Sequence, residues 1–109
     1  MSDDAVFRAL ADASRRQLLD RLHRKNGQTL GELCQGLEMT RQAVTKHLVT
    51  LAEAGLVTVH EEGRERRYVP QPESLQAVTS WIAEVEARWD KRLAALRSYL
   101  LDEPKPDPS

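Results

Sequence analysis

Between Thr40 and Thr50 the chain carries Arg41, Gln42, Thr45 and Lys46 at spacings that a helix would bring to one face. Gln42 and Lys46 lie one helical turn apart, Thr45 stands beside them, and Arg41 follows Thr40 at the exposed start. These side chains suit the reading of base edges: an amide bonds bidentately to adenine, and an ammonium reaches the acceptors of guanine. Further on, Arg64 and Arg66 flank a charged stretch containing Gly63, from which guanidinium groups reach phosphates or an adjacent minor groove.

Other chemistry is thinly supplied. No nucleophile–base pair stands out, and the five glycines fall singly at turns or helix ends. A phosphate-cradling loop is therefore missing and no enzyme is expected. The single cysteine, Cys34, excludes an internal disulfide framework and a Cys-rich zinc site. His23, His47 and His60 sit on three different elements, whereas a thiolate–imidazole site needs three or four converging ligands. No metal site and no cofactor is expected. Cys34 reads as a core thiol and His47 as a partly buried packing residue.

At 109 residues, 40% hydrophobic and 30% charged, the chain has room for one globular domain. Its net charge of -1 argues neither for nor against a polyanionic partner, and 5% aromatics is thin for stacking surfaces or a ligand pocket. The acidic start, Met1-Ser2-Asp3-Asp4, does not resemble a secretory signal. No segment approaches the ~20 apolar residues that span a bilayer, so a cytoplasmic location without membrane contact is expected.

The elements that must position these residues follow from periodicity. A short helix is predicted from Asp3 to Leu10, then a second that Ser14 caps and that ends near Asn26-Gly27. Thr29-Leu30-Gly31-Glu32 has the form of a capping box, opening a helix with Leu30, Leu33, Cys34 and Leu37 on one stripe and an end near Gly36. Only Leu37, Glu38 and Met39 then precede the next cap, Thr40, and so short a connection forces the two helices to cross steeply. The helix from Arg41 to about Ala54 turns Val44, Leu48 and Leu51 inward. Gln42, Thr45, Lys46, Val49 and Thr50 face out, and Gly55 provides the stop.

After Gly55 the period becomes two. Leu56–His60 and Arg66–Val69 predict a two-stranded hairpin with a charged tip, ended by Pro70 and Pro72. From Glu73 to about Asp102 a long helix returns. Its stripe of Leu75, Val78, Ile82, Val85, Trp89, Leu93, Leu96 and Leu100 has Trp81 and Tyr99 on one flank. A helix of about 40 Å outreaches a domain with a radius of gyration near ~13 Å, so part of that stripe is expected to meet another chain. The expected dimer contacts on this helix are Trp81, Val85, Trp89, Leu93 and Leu96. Residues 103–109 alternate prolines with charges and read as a disordered tail behind a single domain at 1–102.

The predicted fold is mainly α with a small β-hairpin. It is a winged helix-turn-helix, ordered helix, helix, helix–turn–helix, hairpin, helix, in which Thr40, Arg41, Gln42, Thr45, Lys46, Arg64 and Arg66 form the DNA face. The segments Phe7-Arg8-Ala9-Leu10-Ala11-Asp12-Ala13-Ser14-Arg15-Arg16, Leu30-Gly31-Glu32-Leu33-Cys34, Arg41-Gln42-Ala43-Val44-Thr45-Lys46-His47-Leu48 and Glu62-Gly63-Arg64, with Tyr68, resemble the ArsR-type winged-helix repressors. The chain departs from that pattern at Ala13, where the family usually has proline. It also has Gly36 where the family's Cys-x-Cys metal pattern would put its second thiolate. The resemblance implies a homodimer built from the first and last helices, so that Phe7 and Leu10 join the dimer contact. The dimer it implies binds a pseudo-palindromic operator in double-stranded DNA and blocks transcription. Trp81, Trp89 and Asp90-Lys91-Arg92-Leu93 resemble the branch often encoded beside START-like (SRPBCC) proteins. Two alternatives stay open: a winged-helix protein-interaction module, and a metal- or redox-sensing repressor that uses Cys34.

Overall fold

Side-chain caps decide where the short helices begin. In the computed structural model, which describes residues 3–102, α1 spans Asp3–Leu10 and α2 spans Ala13–Arg24. The cap of α2 is Asp12, not Ser14: its carboxylate accepts from the backbone N–H of Ser14 at 2.8 Å and of Arg15 at 3.1 Å. A carboxylate beside a helix N-terminus also meets the positive end of the macrodipole, which a hydroxyl cannot exploit as well. The Arg15 N–H holds the Asp12 carboxyl below its ordinary value.

The Thr29 capping box forms as its sequence implies. Glu32 N–H donates to Thr29 Oγ1 at 3.2 Å, and Thr29 N–H donates to Glu32 Oε1 at 2.9 Å. The second bond depresses the Glu32 carboxyl in turn. The helix they open, α3 (Leu30–Cys34), is shorter than its apolar stripe suggests and stops before Gly36. Arg21 Nη1 donates to the freed Leu33 carbonyl at 2.7 Å, and Gly36, at φ 76°, turns the chain.

α4 spans Arg41–Glu53, with Thr40 Oγ1 accepting from Ala43 N–H at 3.0 Å. Gly55 breaks it, and the hairpin follows as β2 (Val57–Glu62) and β3 (Glu65–Pro70), both longer than the alternation predicted. Their two-residue turn, Gly63-Arg64, has positive φ at Gly63 alone, as a type II′ turn requires. A third strand that the sequence did not announce, β1 (Gln28–Thr29), pairs with β3, giving the antiparallel order β1-β3-β2. Pro72–Leu75 form a 3₁₀ turn, so α5 (Gln76–Asp102) starts three residues later than periodicity placed it.

The described residues divide into two units, 3–78 and 79–102. The first is closed by a core in which Leu18, Leu22, Leu33, Val44, Leu48, Leu51, Leu56 and Val57 are fully buried, with Leu75 and Val78 against it. Cys34 is half-buried against the same core. The second unit is helical throughout and carries large exposed apolar side chains. The proline-rich segment lies outside the described residues.

Candidate nucleic-acid interface

The buried face of α4 fixes which residues it presents outward. Val44, Leu48 and Leu51 are buried, and the opposite side exposes Arg41, Gln42, Thr45 and Lys46, with Val49 50% exposed. Among the described residues, the side chains of Arg41, Gln42 and Lys46 enter no hydrogen bond or ion pair. They therefore meet a ligand without first breaking an internal contact.

The two threonines are partly committed. Thr40 Oγ1 accepts from Ala43 N–H as the helix cap, which leaves its own proton to donate. Thr45 Oγ1 donates to the Arg41 carbonyl at 3.0 Å, so it offers lone pairs and a methyl group but no proton. His47, next to Lys46, is half-buried, with Nδ1 3.5 Å from Arg15 Nη1. That agrees with its reading as a packing residue.

The hairpin sorts its charges by register. Cross-strand partners share a face, so Val59–Tyr68 and Glu61–Arg66 lie on one side, and His60–Arg67 and Glu62–Glu65 on the other. Tyr68 and Arg66 border a groove of about 440 Å³ with Arg41 and Thr45 of α4, the Thr29–Gly31 segment, and Glu65 at the strand end. Helix α4 and the hairpin thus open onto one concave surface. Arg67, which sequence reasoning did not single out, binds Glu65 Oε1 at 2.7 Å and Glu62 Oε1 at 3.3 Å. Arg66 lies 3.8 Å from Glu61. Each of the wing's three acids therefore has a cationic partner, and Arg64, at the turn, has none among the described residues.

The expected dimer residues fall in both units. Phe7 and Leu10 are half-buried in the first. In the second, Trp81, Trp89, Leu93 and Leu96 are more than half exposed, while Val85 is half-buried. Arg92 stacks over the Trp89 ring at 5.9 Å. No helix among the described residues is long and apolar enough to cross a membrane.

A metal centre needs several converging ligands, and the residues here do not fit one. Among the described residues no three His, Cys, Asp or Glu side chains come together, and Cys34 has glycine two positions on where a second thiolate would stand.

Residues 10–60 match the model of a helix-turn-helix domain. Over 86 residues, 72% of this chain and 94% of the relative, the sequence is 42% identical to YuzN, an HTH-type transcriptional regulator of Bacillus subtilis. It is 28% identical to the transcriptional repressor SdpR of the same organism, over 81% of this chain and 97% of that one. The structure of an ArsR-like transcriptional regulator from Rhodococcus sp. RHA1 superposes with a TM-score of 0.73 and 36% identity, covering 88% of this chain and 90% of the other. With the recognition helix, the wing and these relatives in agreement, the chain belongs to the ArsR family of winged helix-turn-helix transcriptional regulators.

Proposed function

We propose that the protein represses transcription as a homodimer, residues 1–102 serving for both DNA binding and dimerisation. Each protomer sets the outward face of α4 into a major groove of a pseudo-palindromic operator. Gln42 and Lys46 then contact base edges, with Thr45 between them. Thr40, Arg41, Arg64 and Arg66 hold phosphates or the neighbouring minor groove. Two-fold pairing through α5, helped by Phe7 and Leu10 of α1, spaces the recognition helices about 34 Å apart, one turn of duplex. Such a regulator works where the DNA is, and the cytoplasm is the proposed location.

The observation that carries this reading is the outward face of α4, where Arg41, Gln42 and Lys46 are exposed and uncommitted beside Arg66 of the wing. A protein-interaction module could keep the fold, but the wing carboxylates that would favour it, Glu61, Glu62 and Glu65, already have arginine partners. The test is to incubate the purified protein with random duplexes and sequence those retained. Inverted half-sites one helical turn apart are expected. A retained pool with no enriched sequence would overturn the proposal.

A further inference from the structure

Arg15 joins three elements through one guanidinium, and its side chain is only 18% exposed. Nε donates to the Ala9 carbonyl at 2.7 Å, at the end of α1, and Nη2 to the Arg8 carbonyl at 3.1 Å, which also accepts from Ala11 N–H at 3.3 Å. Arg16 Nη1 takes the Leu10 carbonyl at 2.6 Å, so α1 is already well capped. The remaining arm of Arg15, Nη1, points elsewhere. It lies 3.5 Å from His47 Nδ1 on α4 and 3.9 Å from Asp12 Oδ2 at the start of α2.

A guanidinium only donates, so the contact requires Nδ1 to be the accepting nitrogen and puts the ring proton on Nε2. His47 follows Lys46 and precedes Leu48, a buried anchor of α4. A bond to its ring therefore acts on the rotation of the helix that presents Gln42 and Lys46. The charged groups set against the ring are Arg15 and Asp12. On α1 the same guanidinium holds the Arg8 and Ala9 carbonyls.

We propose that Arg15 is a positioning residue whose contact with neutral His47 ties the reading face of α4 to α1, and that protonation of His47 releases the tie. The protonated ring donates from both nitrogens, so it has no lone pair for Nη1 and sets a second cation against the guanidinium. Asp12 then faces both cations, while the Ala9 and Arg8 carbonyls keep the other two arms of the guanidinium. The reading face of α4 loses this tie to α1, and operator binding weakens. This rests on the DNA-binding reading above, but not on which bases are read.

The test measures operator affinity at pH 7.5 and 5.5 for the wild type, H47Q and R15K, with thermal melts confirming that each is folded. Acidification should weaken the wild type about tenfold, the scale of one charge-assisted hydrogen bond. H47Q keeps an acceptor for Arg15 and cannot be charged, so its affinity should stay level between the two pH values. R15K keeps the charge but loses the fork, and should bind more weakly at pH 7.5 with little further loss at pH 5.5. Tighter wild-type binding at pH 5.5, as a direct His47–phosphate contact would give, overturns the proposal, and so does an H47Q profile that falls in parallel with the wild type. Imidazole ¹⁵N shifts of the DNA-free protein test the tie independently: a proton on Nδ1 at neutral pH overturns it even if no DNA were bound. Absence of DNA binding at both pH values with the expected ¹⁵N pattern would instead count against the function proposed above.

Discussion

Arg67 Nη1 donates to the Gly27 carbonyl at 2.9 Å, a bond between the wing and the turn after α2, forty residues away in sequence. The same guanidinium holds Glu62 and Glu65, so one side chain both anchors β3 and neutralises two wing carboxylates. R67A should therefore have two separable effects. Stability should fall by about 1–2 kcal/mol, mostly from the Gly27 bond, because exposed ion pairs contribute little. DNA affinity should fall further than stability explains, because two freed carboxylates would stand near the duplex. Denaturant melts beside gel shifts separate the two, and the extra binding loss should shrink as salt rises.

Glu61 is the acid that shares a face with Arg66 and Tyr68. Its pairing with Arg66 at 3.8 Å, both side chains well exposed, is a weak interaction that must loosen before Arg66 can bind phosphate. E61Q is expected to tighten binding to all duplexes by a few fold at low salt, with the gain fading at high salt. An affinity unchanged at every salt concentration would show that Arg66 does not reach the DNA.

What the sequence revealed, and what it hid, follows from how local each signal is. The amphipathic stripe of α4 and the Thr-x-x-Glu box are written within one or two turns, and both appear as read. β1 escaped because two residues have no periodicity and exist as a strand only through their pairing with Arg67 and Tyr68. Ser14 and Asp12 are both good cap residues, and only the local chain geometry separates them. Counting the wing's charges does not show which of them pair. Placing the two-residue turn at Gly63-Arg64 would have fixed the register and shown that Glu61 falls on the opposite face from Glu62 and Glu65. Arg15 could not have been found at all, since its partners lie on three different elements.

Recognition and attachment should separate by substitution. Q42A or K46A should relax preference at one operator position, costing roughly 1–3 kcal/mol per half-site on the selected duplex and little on random DNA. R64A, at the wing turn, should weaken both duplexes alike and lower the salt slope by about one. Fluorescence titrations over a salt series read both quantities. Equal losses on selected and random duplex for all three variants would refute this division of labour.

Acid should unfold the protein partly through its helix caps. Backbone N–H bonds hold Asp12 and Glu32 below their ordinary values of 3.8 and 4.5, so each binds its proton less readily folded than unfolded. Their stabilisation is complete above those ordinary values and is lost as pH drops through the lower folded ones. Asn caps nearly as well as Asp, and Gln can complete the box in place of Glu. The D12N/E32Q pair should therefore fold at pH 7 and show a flatter decline of melting temperature between pH 5 and 2 than the wild type. Parallel declines, followed by circular dichroism, would remove the caps from the acid response.

The apolar stripe of α5 gives the sharpest test of the proposed assembly. Trp89 is 55% exposed, and Leu93 and Leu96 beside it are 57% and 52% exposed, a contiguous surface that a second copy can cover. In a two-fold interface each substitution acts twice. Buried aromatic anchors commonly lose about 2 kcal/mol or more on truncation, so W89A should raise the dimer dissociation constant by roughly a thousandfold. At micromolar concentration light scattering should report the mass falling from two chains toward one. Operator affinity should fall with it, because a lone recognition helix gains nothing from a second half-site. W89A that stays dimeric with full affinity would place the dimer contact away from this part of α5.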